Sequence, residues 1–121
     1  MSFRLYAVRI FSADWQSAIH FYRETLGLTE RFSDAEMGWA EFDVGGPSLA
    51  IERVQDDDPE HQSLVGRFVG VSLEVDDIEE TYLHLLGQGV EFTAAPARQP
   101  WGGVLAHFKD PDGNLLTLLG R

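Results

Sequence analysis

The order of apolar and polar positions divides the chain into two stretches that repeat one another. Residues Ala7–Asp14 and Gly70–Asp77 each read as a strand running into a helix cap, 63 residues apart. After Asp14, the apolar residues Trp15, Ala18, Ile19, Tyr22 and Leu26 fall on one side of a 3.6-residue period. After Asp77, Ile78, Tyr82, Leu85 and Leu86 do the same, and Trp15, Ile19 and Tyr22 coincide with Ile78, Tyr82 and Leu85 at the same offset. Both aspartates suit helix N-caps, because a short carboxylate accepts from the free N–H groups of the first turn, and Asp77 with Glu80 has capping-box spacing. Gly27 and Gly87 stand where the two helices should stop. Each helix precedes three strand-like runs. In the first half these are 28–32, 38–44 and 48–54, with Gly45-Gly46-Pro47 as a turn; in the second they are 90–93, 104–109 and 115–119, with Asp110-Pro111-Asp112-Gly113-Asn114 as a turn supplying positive φ. The pattern predicts two β-α-β-β-β modules, about 3–54 and 68–119, within one domain. The stretch 55–67 between them has no period. Its acidic run Asp56-Asp57-Asp58-Pro59-Glu60 reads as a solvated linker rather than a metal trap.

Composition narrows the function. A length of 121 residues suits one domain, and 44% hydrophobic with 24% charged residues supports a packed core. Twenty acids against nine bases give a formal charge of −11, with Lys109 the single lysine, so a phosphate backbone is repelled and no nucleic-acid partner is expected. The absence of cysteine removes disulfides, thiolate nucleophiles and zinc–cysteine sites. No apolar run approaches the roughly 20 residues of a membrane span, and the first residues lack the apolar core of a signal peptide. The expectation is a cytoplasmic protein without a membrane partner.

The strings Phe21-Tyr22-Arg23-Glu24-Thr25-Leu26-Gly27-Leu28, Val75-Asp76-Asp77-Ile78, Gly87-Gln88-Gly89-Val90, Trp101-Gly102-Gly103 and Phe108-Lys109-Asp110-Pro111-Asp112-Gly113-Asn114, in this order, resemble the vicinal oxygen chelate superfamily. That superfamily includes glyoxalase I, bleomycin-resistance proteins, extradiol dioxygenases and fosfomycin-resistance transferases, and the resemblance spans residues 5 to 119. It implies an α+β fold of two βαβββ modules whose mixed sheets curl into a cleft, commonly in a homodimer. In its metal-using members, four inward side chains hold a divalent ion, one each from the first and last strands of the two modules. Those positions fall here on Ala7, Glu52, Gly70 and Thr117, of which Glu52 alone carries a carboxylate. The resemblance therefore implies a chain without a resident metal or other cofactor, with a divalent metal bound through other ligands as the alternative.

Period-two alternation assigns the residues that line the cleft. Tyr6, Val8 and Ile10 should face the helix, leaving Leu5, Ala7 and Arg9 to the cleft. In the second module Gly70, Ser72 and Glu74 face it, with Leu105, His107 and Thr117 on the later strands. Trp39, Glu41 and Glu52 complete the face, and Trp101 lies in a Pro-Trp-Gly-Gly loop nearby. The candidate ligand-binding residues are thus Arg9, Trp39, Glu41, Ser72, Glu74, Trp101, Leu105, His107 and Thr117. His107 and Glu52 are the candidate catalytic pair. Each also has a structural role open to it: Arg9 as an internal partner of Glu52 or Glu74, His107 as a neutral strand histidine, Trp101 as loop packing. His20 and His84 on helices and His61 in the linker read as structural. The leading expectation is a protein of bleomycin-resistance type that binds a small molecule and does no chemistry. The alternative is a lyase, isomerase or dioxygenase-like enzyme using a metal or using His107 with Glu52 or Glu74.

Overall fold

Two aspartates start the helices. Asp14 Oδ1 accepts from Ser17 N at 3.4 Å and its Oδ2 from Ser17 Oγ at 2.8 Å; Asp77 Oδ1 accepts from Glu80 N at 3.0 Å. The computed structural model describes residues 1–121 apart from Asp56, Asp58 and Glu60, and only the backbone of His61 and Gln62. The expectations for the acidic run at Asp56, Asp58 and Glu60 and for the His61 side chain lie outside the described residues. The chain divides into two compact units, Met1–Val65 and Gly66–Arg121.

Unit 1 contains β1 (Ala7–Ser12), α1 (Trp15–His20) continuing as a π-helical turn (Phe21–Thr25), β2 (Thr29–Asp34), β3 (Trp39–Asp43), β4 (Ser48–Arg53) and a short helix α2 (His61–Leu64) in the stretch without a period. The sheet order is β1-β4-β3-β2, with β1 parallel to β4 and the other pairs antiparallel. Unit 2 repeats the plan with β5 (Phe68–Glu74), α3 (Ile78–Gly87), β6 (Glu91–Phe92), β7 (Ala97–Arg98), β8 (Val104–Lys109) and β9 (Leu115–Gly120), in the order β5-β9-β8-β6, with β7 also on β8. The fold is mixed α+β with two mixed sheets. The two-residue strand β7 lies in a stretch whose Pro and Ala content gave no alternation to read.

One face of each sheet packs on its helix. In unit 1, Ile10, Phe42, Leu49 and Ile51 are buried with Trp15, Ala18, Ile19 and Tyr22, and the Trp15 indole donates to Ile51 O at 3.0 Å. Phe21, outside the predicted stripe, is buried too. The backbone explains it: Leu26 N donates to Phe21 O, a five-residue step that widens the turn and swings Phe21 inward. In unit 2, Ala106, Phe108, Leu116 and Leu118 are buried with Ile78 and Leu85, while Leu86 is 41% exposed and leaves the stripe. Burying a side chain such as Phe42 or Phe108 stabilises the unit by roughly 1.5–3 kcal/mol.

The helix ends differ from expectation in one place. Gly27 carries φ +72° and closes the first helix as predicted, but Gly87 is still helical, and Gly89 at φ +88° makes the left-handed turn while Val90 N bonds back to Leu85 O. In the turn after β8, Gly113 is at φ +83° and neither Asp112 nor Asn114 has positive φ. Asn114 is instead wholly buried: its Nδ2 donates to Asp110 Oδ2 at 3.0 Å, and its Oδ1 accepts from Gly66 N at 2.8 Å and Arg67 N at 3.3 Å. It pins the hairpin to the start of β5.

Candidate functional site

The strand registers decide which side chains share the face away from the helix. In unit 1, Trp39, Glu41 and Asp43 of β3 lie beside Glu52, Ala50 and Ser48 of β4, and Ala7, Arg9 and Phe11 of β1 lie beside Ser48, Ala50 and Glu52. The chemistry centres on Glu41, which is only 8% exposed. Its Oε2 accepts from the Tyr6 hydroxyl at 2.7 Å and from Trp39 Nε1 at 2.9 Å, and its Oε1 from Ser48 Oγ at 2.9 Å. Those donors, the Trp39 indole foremost, hold the Glu41 carboxyl below its ordinary value, because each bonds the charged form. The same bond to Glu41 raises the Tyr6 phenol.

Tyr6 corrects the predicted alternation. It precedes β1, so the strand's two-residue period does not extend to it, and its hydroxyl turns to the polar face where Glu41 offers an acceptor. Val8, also assigned to the helix, is 37% exposed. Arg31 was not singled out from the sequence. The β2–β3 register slips between Glu30 and Phe32, making Arg31 the extra residue of a bulge. Its side chain thereby reaches the polar face, with Nη1 on Ser48 Oγ at 2.9 Å and Nη2 on Asp43 Oδ1 and Gly46 O, both at 3.0 Å. No pattern of side chains signals a bulge of this kind. At the other end of the face, Arg9 Nη1 meets Glu52 Oε1 at 3.1 Å and its guanidinium lies 5.2 Å from the Phe11 ring centre. Of the two partners expected for Arg9, it pairs with Glu52, but at an exposed position rather than an internal one.

Unit 2 presents a different face. His107 and Thr117 are directly paired across β8 and β9, and His107 Nδ1 shares a 2.8 Å hydrogen bond with Thr117 Oγ1. The Phe68 ring meets the imidazole edge-on at 6.0 Å. Ser72 lies beside Thr117, and Leu105 beside Leu119. Glu74 is turned to Arg121 Nε at 3.5 Å, so no carboxylate of unit 2 bonds His107 among the described residues. Trp101 is 60% exposed, yet its six-membered ring lies against Gly103, where an added Cβ would fall 2.0 Å from the ring. The loop is tied by Gln99 N to Gly103 O at 2.7 Å.

A divalent ion does not fit these residues. Ala7 and Gly70 have no donor, and the Thr117 hydroxyl is engaged by His107. Gly70 stands at φ +73°, at the point where the β5–β9 register shifts, so a bulge requires that residue to be glycine. The registers also move Glu52 from the assumed position. Arg9 lies beside Ala50 while Ser72, 63 residues on, lies beside Thr117, so Ala50 is the counterpart of Thr117 and Glu52 stands two residues beyond. Among the described residues, no three His, Asp or Glu side chains gather closely enough to hold a metal. Nor is any helix among them long and apolar enough to cross a membrane.

Comparison with known proteins agrees with this architecture. The structure of a glyoxalase/bleomycin resistance protein/dioxygenase superfamily member from Sphaerobacter thermophilus DSM 20745 superposes with a TM-score of 0.85 at 28% identity, covering 99% of this chain and 98% of that one. The uncharacterized protein YraH of Bacillus subtilis (strain 168) is 30% identical over 95% of this chain and 96% of its own length. A bleomycin resistance protein of Klebsiella pneumoniae is 33% identical over 89% of this chain and 85% of its own. The sequence model of the superfamily matches residues 4–118, and the chain belongs to the Glyoxalase/Bleomycin resistance protein/Dioxygenase superfamily.

Proposed function

We propose that this chain is a small-molecule binding protein of the bleomycin-resistance type, which sequesters a ligand without a resident metal and without turnover. The observation that carries the proposal is the state of the donor positions: Ala7, Gly70 and, by the strand register, Ala50 have no donor, and Thr117 is bonded to His107, while the nearby Glu52 is bonded to Arg9. What the faces offer in place of metal ligands is recognition chemistry. In unit 2 the exposed Trp101 ring offers a surface on which an aromatic or cationic ligand can stack, in keeping with the acidic charge of −11. The likeness to the Klebsiella bleomycin resistance protein makes bleomycin the first ligand to try. The same proposal includes a cytoplasmic location and a C2 homodimer, the dimer supported by the large apolar residues Val8, Phe32 and Phe68 left exposed.

The test is a titration of chelator-free protein with bleomycin, read by fluorescence of its three tryptophans and paired with elemental analysis. Saturable quenching with the ligand recovered intact supports sequestration. Near-unit occupancy by Ni, Zn, Fe or Mn, or consumption of a ligand, overturns it. For assembly, a light-scattering mass of 13.6 kDa at micromolar concentration counts against the dimer.

A further inference from the structure

Unit 1 holds an open groove of about 600 Å³ whose wall includes Ser2, Arg4, Leu5, Arg31, Pro47 and Ser48. In a chain with more than twice as many acids as bases, this wall carries two guanidinium groups and no carboxylate. The two arginines differ in a useful way. Arg31 is fixed by its bonds to Ser48, Asp43 and Gly46, which use three of the five N–H groups an arginine offers and leave the others for a further acceptor. Arg4 has no ion-pair or hydrogen-bond partner among the described residues. Ser2 adds a hydroxyl, and Leu5 and Pro47 add apolar wall.

We propose that this groove is a binding site for a small organic oxyanion, with Arg31 as the prearranged half of the clamp and Arg4 as the half that closes on the ligand. Guanidinium groups bind carboxylate and phosphate oxygens by short, charge-assisted hydrogen bonds. The volume exceeds what an inorganic ion needs, so the anionic group is one end of an organic molecule whose body rests on Leu5 and Pro47. The chain's net negative charge opposes this at long range, but about 0.1 M salt screens charges beyond roughly 10 Å and leaves the direct contacts. The site does not depend on the function proposed above.

The experiment is calorimetric titration of the full chain with phenyl phosphate, with benzoate and with benzylamine at about 0.1 M salt. Saturable one-to-one binding of either anion is expected, and whichever binds identifies phosphate or carboxylate as the preferred group. Arg4→Ala, which removes an exposed and unpartnered side chain, should weaken it about tenfold or more, with part restored in Arg4→Lys. Arg67→Ala, outside the groove, should leave it unchanged. No saturable binding of either anion, equal binding of benzylamine, or equal loss in Arg67→Ala overturns the proposal. Bleomycin quenching by Arg4→Ala protein, measured alongside, shows separately whether the other proposal stands.

Discussion

The two units share a topology and a helix-side core but use their other sheet faces in opposite ways. In unit 1 the face is organised by a nearly buried charge: Glu41 collects Tyr6, Trp39 and Ser48, and Ser48 in turn receives Arg31. In unit 2 the corresponding face centres on a neutral bond between an imidazole and a hydroxyl, with Phe68, Leu105 and Leu119 around it and the ion pair of Glu74 at an exposed edge. The helix-facing positions must fill a shared shape and so repeat their apolar pattern. The opposite face carries no such packing constraint. Duplication therefore supplies a frame and leaves two surfaces with independent chemistry. A metal site built symmetrically from both halves is one use of that frame, and these residues do not support it.

The largest test of this contrast is Glu41→Ala. It leaves the buried Ser48 hydroxyl and the Trp39 indole without their acceptor and should lower stability by about 2–3 kcal/mol in urea unfolding. A loss no greater than that of a unit 2 face variant would remove the distinction between the faces. Acid titration comes next. Glu41 binds its proton at lower pH in the folded chain than its ordinary 4.5, so between those values the unfolded state holds more protons and stability falls as pH falls. The contribution is complete above the ordinary value and should vanish from the acid limb in Glu41→Gln. Tyr6 works in the other direction: its raised phenol contributes below the ordinary 10.0 and ceases to as pH climbs through the folded value, a shift that ultraviolet titration reads directly. Thr117→Val removes the bond to His107 and should reduce stability by about 1 kcal/mol without moving either limb. Arg9→Ala should change stability least, by less than about 1 kcal/mol, because the pair with Glu52 is half exposed and screened. A larger drop would make Arg9 a second buried centre.

Much of this frame was legible because it depends on local periodicity. Asp14 and Asp77 announce their helices through a single capping interaction, and the runs at Ser48–Arg53 and Val104–Lys109 fall almost where their alternation ends. The superfamily was legible in the ordered strings from Phe21 to Asn114. What escaped was set by backbone irregularity. The bulge that aims Arg31 and the π-helical turn that buries Phe21 each insert a residue without altering the type of side chain present, whereas the shift at Gly70 is marked by a glycine inside a strand run, a signal that reading it only as a missing donor overlooks. Tyr6 escaped because alternation was extended past the strand's first residue, and Asn114 because a turn-forming residue was read only for its backbone freedom.

The bulge at Gly70 makes the two halves unequal starting points for redesign. Ala7 lies in a regular parallel ladder beside Ser48, on extended backbone without the positive φ that strains a side chain. Gly70 has room for a Cβ, the nearest atom being Phe68 Cε1 at 3.8 Å, but its φ of +73° strains any residue with a side chain. An engineer installing imidazoles at both first-strand positions would meet no backbone strain at residue 7. At residue 70 the strand would have to straighten first, and straightening slides Ser72 away from Thr117. Placing a longer side chain at the first-strand position is therefore a problem of backbone repair in one half and of substitution on ordinary backbone in the other.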